Sequence, residues 1–115
     1  MAYDPGLAQV LRDDLAGRRI EEKKMFGGLA FLLNGHMVCG IHKGGAMFRV
    51  GKERYAEALE IAGVTPMMMA DRQMSGMVDM AGDGALDDSR RARMLDLALA
   101  TVTALPPKVA KPKKG

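Results

Sequence analysis

The chain has 115 residues and a mass of 12.4 kDa, of which 48% are apolar and 27% charged. That is the size and make-up of one globular domain, and it excludes a disordered polymer or two independent cores. The net charge of +3 is local: Lys108, Lys111, Lys113 and Lys114 lie in "PPKVAKPKKG", and 17 basic residues less these four leaves 13 against 14 acidic ones.

A first helix is expected over 4–16, with Asp4 as N-cap, Pro5 at the first helical position and Gly17 just past the end. Leu7, Val10, Leu11 and Leu15 form its apolar stripe. "RRIEEKKMF", residues 18–26, suits an exposed edge strand whose lysines discourage further pairing. Gly27-Gly28 is expected to form a bend or bulge before the next strand. "LAFLL" and "HMVCGI" flank Asn34-Gly35, the dipeptide suited to the two positive-φ positions of a type I′ turn. His42-Lys43-Gly44-Gly45 then reads as a four-residue loop before "AMFRV", which completes a four-stranded antiparallel meander. "KERYAEALEIA" reads as a short amphipathic helix stopped by Gly63. Two short strands are expected around 67–70 and 76–80, joined by a polar turn at Asp71-Arg72-Gln73, and "AGDG" is expected to be a loop. The last helix starts near Asp87-Asp88 and runs to Leu105, before Pro106-Pro107. Met94, Leu95, Ala98, Leu99, Val102 and Leu105 form its buried face. The order helix, four strands, helix, two strands, helix predicts a two-layer α+β fold, an antiparallel sheet flanked by three helices. Residues 1–107 are expected to form the single domain, and 108–115 a flexible tail.

Several constellations invite chemistry. His36, Cys39 and His42 would have to converge to hold zinc or copper. In a strand over 36–41, side chains alternate, so His36 and Cys39 are expected on opposite faces and no metal ligand set is expected. Cys39 is expected to be a buried small thiol, and a Cys39 nucleophile lacks an orienting carboxylate. The glycines match neither a phosphate-binding loop nor a dinucleotide fingerprint. Eleven methionines, six of them between Met67 and Met80, read first as core filler, second as a self-association or partner surface, and only third as copper(I) ligands. No carboxylate pair is placed in a cleft, so no catalytic or cofactor-binding residue is named and no cofactor is expected. Arg90, Arg91 and Arg93 read as a solvated helix face. "MAYDPG" lacks a basic and an apolar signal region, no run approaches the roughly twenty apolar residues that span a bilayer, and a lone cysteine suits a reducing compartment. A cytoplasmic protein without membrane contact is expected.

"EEKKMFGGLAFLLNG", then "CGI", "FRVGKERYAEAL", "PM", "MSGMV" and a helix closing in "LPPK" together resemble the N-terminal domain of the TfoX/Sxy family, in order and over about Tyr3 to Lys108. The residues that carry the likeness are Met25, Phe26, Gly27, Gly28, Asn34, Gly35, Arg49, Val50, Gly51 and Tyr55. The resemblance implies a two-layer α+β fold and a link to transcription regulation. Longer members regulate competence for DNA uptake with a cyclic-AMP-responsive activator and carry a helical C-terminal domain; no catalytic residues carry over. Three expectations follow. The first is a stand-alone, non-enzymatic interaction domain with a protein partner, a transcription activator among the candidates, and a homodimer suggested by the methionine-rich segments. The second is nucleic-acid binding through Lys108, Lys111, Lys113, Lys114 and the nearby arginines, with affinity that falls with salt. The third is a small-molecule or enzymatic role at the sheet face around Cys39.

Overall fold

In the computed structural model, which describes residues 4–25, 27–69 and 72–105, the first helix begins where its end chemistry places it. The Asp4 carboxylate accepts the Gly6 N–H at 2.8 Å and Pro5 opens α1 (Pro5–Asp14), an arrangement that satisfies an orphan donor and needs no amide from the proline. Leu7 and Leu11, with Leu15 just beyond the helix, are buried, while Val10 is half-buried.

The meander follows as expected: β1 (Ile20–Met25), β2 (Gly28–Leu33), β3 (His36–His42) and β4 (Gly45–Arg49) pair successively and antiparallel. Asn34 and Gly35 both take positive φ, 55° and 84°, the pairing that a two-residue I′ connection requires. Gly28 has a different reason from the expected bend. A Cβ there would lie 2.0 Å from the Ile41 carbonyl oxygen, so β3 approaches too closely for any side chain. The β3–β4 connection is also tighter than a four-residue loop. His42 pairs with Gly45, leaving only Lys43 and Gly44 as the turn, and the Gly44 N–H donates to His42 Nδ1 at 3.0 Å.

After β4 the chain turns a corner at Val50-Gly51. Both amides donate to the Gly76 carbonyl, at 2.9 and 3.0 Å, and the Thr101 hydroxyl donates to the Val50 carbonyl at 2.5 Å. α2 (Tyr55–Leu59) is shorter than the expected helix, and Gly63 takes φ 85° beyond it. β5 (Val64–Met69) and β6 (Arg72–Ala81) are longer than the two short strands expected, and Arg72 and Gln73 belong to β6. Of the expected turn, Asp71 lies outside the described residues. The strand lengths have a tertiary cause: the sheet order is β1-β2-β3-β4-β6-β5, so β6 is laddered on both sides. "AGDG" contributes a one-turn helix, α3 (Gly82–Ala85), instead of a loop, tied to the sheet by the Gly82 N–H donating to the Gly44 carbonyl at 3.2 Å. The last helix, α4 (Asp88–Thr103), is capped by Asp87, whose carboxylate accepts the Arg90 N–H at 2.9 Å.

The core fills the space between one sheet face and the helices. Phe31, Cys39, Ile41, Phe48, Val78 and Met80 from the sheet meet Leu7, Leu11, Met94, Ala98 and Val102 from α1 and α4. Phe31 and Phe48 are fully buried, each contributing about 2–3 kcal/mol of transfer free energy. Arg91 departs from the expected solvated face: it is 5% exposed. Its guanidinium donates to the Asp14 carboxylate, to Asp88 at 2.7 Å and to the Ala85 carbonyl at 3.1 Å. It thereby ties the end of α1 to α3 and α4. Burial alone would push this guanidinium down, but the Asp14 and Asp88 carboxylates outweigh it and hold the group above its ordinary range. Both sheet edges are guarded, β1 by four exposed charged residues and β5 by Pro66.

Candidate functional site

Pairing across the sheet assigns every residue to a face, because directly opposed residues point the same way. Leu29, Phe31, Ile41, Phe48, Val78 and Val64 share the helix-covered face. The alternate residues lie on the other face: Glu21 and Lys23 of β1, Ala30 and Leu32 of β2, Met37, Gly40 and His42 of β3, Met47 and Arg49 of β4, Met77 and Asp79 of β6, and Thr65 of β5. Among the described residues no helix covers them.

An uncovered antiparallel face ordinarily reads as polar. Here its centre is apolar. Ala30 is fully buried and Met77 is 9% exposed, yet both lie outside the main core cluster, while Leu32, Met37 and Met47 are half-buried. Gly40 explains the shape of this band. A Cβ at Gly40 would lie 2.8 Å from Met47 Cε, so the Met47 side chain is folded over the bare backbone of β3. Two small residues side by side on neighbouring strands, Ala30 and Gly40, leave a shallow trough that a flexible thioether partly fills. Charged groups rim the band: Glu21 and Lys23 at β1, Arg49 on β4, and the pair His42 and Asp79 at the other side.

That pair is the best-defined polar feature of the face. His42 Nε2 and Asp79 Oδ1 lie 2.5 Å apart across β4, where Gly45 carries no side chain. Since Nδ1 accepts from Gly44, Nε2 carries the proton and donates it to Asp79. Both ring nitrogens are therefore engaged, and the imidazole has no free lone pair with which to take a proton from a substrate.

The other sequence candidates fall elsewhere. Strand alternation does not separate His36 from Cys39, because a bulge at the Phe31/Leu32 register shift inserts Val38. His36 pairs with Leu33 and Cys39 with Phe31, so both lie toward the covered face, whereas His42 lies on the open one. Among the described residues no group of three or more His, Cys, Asp or Glu side chains is placed to hold a metal ion. Cys39 is fully buried; burial foremost, with Asp14 adding to it, pushes its thiol far above the ordinary range. The sheet face around it is the one filled by α1 and α4. Arg90 approaches Asp87 at 4.0 Å and Arg93 approaches Glu57 at 3.4 Å. A cleft of about 350 Å³ between α2 and α4, lined by Glu60, Ile61, Ser89, Arg90 and Arg93, thus pairs its arginines with acids. Lys108, Lys111, Lys113, Lys114 and Phe26 lie outside the described residues. Gly27, Gly28, Asn34, Gly35, Val50 and Gly51 serve turns, close approaches and the β4 corner, and Tyr55 packs against the core. The uncovered band itself was not singled out by sequence, since its residues alternate with the core set in the same strands.

Among the described residues no helix is long and apolar enough to cross a membrane. No curated protein and no solved structure gives a significant match to the chain. A match to the family described as TfoX N-terminal domain runs over residues 14–102, from the end of α1 through the sheet to the last turn of α4, and on that span the chain belongs to this family.

Proposed function

We propose that this protein is a regulatory interaction domain without catalysis of its own, which works by holding another polypeptide on the uncovered face of its sheet. The observation that carries this reading is the apolar band of Ala30, Leu32, Met37, Met47 and Met77 on a face that no helix among the described residues covers. Burying the half-buried Leu32, Met37 and Met47 further on association is favourable at about 25 cal/mol per Å² of apolar surface, and methionine adapts to a partner without a rigid pocket. The likeness to the family supports transcription regulation as the class of function and makes a transcription activator the partner class to seek. The paired nitrogens of His42 and the buried thiol of Cys39 support a role outside catalysis.

A photo-crosslinking residue at position 47, compared with one at the exposed Ala56 on α2, tests the reading in living cells. A discrete adduct to a polypeptide is expected at position 47 and not at position 56. No adduct at 47, or the same adducts at both positions, would overturn it.

A further inference from the structure

A row through the centre of the open face ends in opposite charges. One row across the sheet runs Lys23 on β1, Ala30 on β2, Gly40 on β3, Met47 on β4 and Asp79 on β6. Lys23 is exposed and has no ion-pair partner among the described residues. Asp79 uses Oδ1 for His42 and keeps about a third of its side chain exposed.

We propose, building on the reading of this face as a contact surface, that its occupant is a second copy of the chain, packed sheet to sheet about a two-fold axis along the strands and over β3. Such an axis carries the first strand of the row onto the fifth, the second onto the fourth and the third onto itself. Lys23 then meets the partner's Asp79, twice per dimer. The half-buried Met47 side chain, folded over its own Gly40, then lies above the partner's β2, and the two Gly40 rows face each other across the axis. Unlike charges at both ends of the row are the self-complementarity that an isologous interface requires.

The dimensions suit this arrangement. Five strands spaced about 4.8 Å, over about 20 Å along the strands, give a planar patch on the order of 480 Å² per copy. Two copies bury on the order of 1,000 Å², the lower bound for a specific interface. Aligned sheets stack about 10 Å apart with a crossing near −30°, within reach of a lysine side chain. Edge-to-edge pairing is a poorer route, because the charged β1 and Pro66 on β5 guard the edges.

Sedimentation equilibrium on the full chain, with circular dichroism as a folding control, tests the geometry through charge reversal. The wild type is expected to dimerise. Lys23→Glu and Asp79→Lys are each expected to weaken self-association about tenfold or more, since each homodimer then carries two like-charge contacts. Mixed in equal amounts, the two variants should form a heterodimer, because both 23–79 contacts in it again join unlike charges. Should Asp79→Lys fail to fold for want of the His42 contact, Lys23→Glu and Met47→Glu carry the test through loss of the dimer. A wild type monomeric up to millimolar concentration, or a dimer indifferent to both of these changes, overturns the inference. The crosslinking experiment keeps this separate from the broader reading: an adduct at position 47 to a different polypeptide would leave that reading standing while removing the second copy from the face.

Discussion

Replacing Arg91 with methionine tests how the helical layer is locked to itself. The substitution keeps an apolar stem of similar length, so little packing is lost; the three guanidinium contacts to Asp14, Asp88 and the Ala85 carbonyl go. The Asp88 contact is worth little, because that side chain is 92% exposed. The Ala85 carbonyl loses its partner from the arginine at a cost of about 1 kcal/mol. Asp14 is only 30% exposed, and stranding its charge adds about 1–2 kcal/mol, less than the 3–5 of a fully buried pair. The sum is about 2–3 kcal/mol. With an unfolding entropy of about 2.1 cal/mol/K per residue, that corresponds to a Tm lowered by about 8–12 °C. Urea unfolding followed by circular dichroism would read it as a lower midpoint at unchanged slope. Arg91→Met with Asp14→Asn should recover a large share of the loss, since the stranded charge is then removed as well. A single-variant loss under about 1 kcal/mol, or no recovery in the double variant, would refute the account of Arg91 as the brace between α1, α3 and α4.

Cys39 should resist thiol reagents in the native protein and react fully only when the chain unfolds, which a reagent titration with and without denaturant would show. Because its folded pKa is raised, its contribution to stability is complete below the unfolded value near pH 8.5 and falls above it by about 1.4 kcal/mol per pH unit; Cys39→Ala should abolish that alkaline slope. Gly51→Ala should cost about 2 kcal/mol or more, since it combines left-handed strain with a Cβ against Thr101. Gly17→Ala, at a similar φ of 91° but in open space, should cost only about 1 kcal/mol; equal losses in thermal melts would contradict the steric part. The Arg12 hydrogen bond first, and its charge after the opposing effect of burial, lowers the Glu22 pKa. Its contribution is therefore present above the unfolded carboxylate range and lost as pH falls through the folded pKa. It is under about 1 kcal/mol because both side chains are well exposed. Glu22→Gln should remove that part of the acid dependence from a series of pH melts.

The elements legible in the sequence are those determined within a few residues. Asp4 and Pro5 begin α1, Asn34-Gly35 turns the hairpin, Asp87 caps α4, and the apolar stripes of both long helices mark their buried sides, because caps, turns and periodicity act locally. Edge character at β1 was equally legible from its run of charges. The rest needed partners distant in the chain. β6 extends to ten residues because β4 and β5 ladder it from both sides, and no local pattern of methionine and glycine carries that information. Arg91 looks solvated until the end of α1 and the Ala85 carbonyl are brought to it. The bulge at Val38 reverses the alternation that separated His36 from Cys39. The open face was hidden for the same reason. Ala30, Gly40, Met47 and Asp79 become one row only when four strands stand side by side, and the placement of both long helices on the other side leaves that row without a helix over it among the described residues.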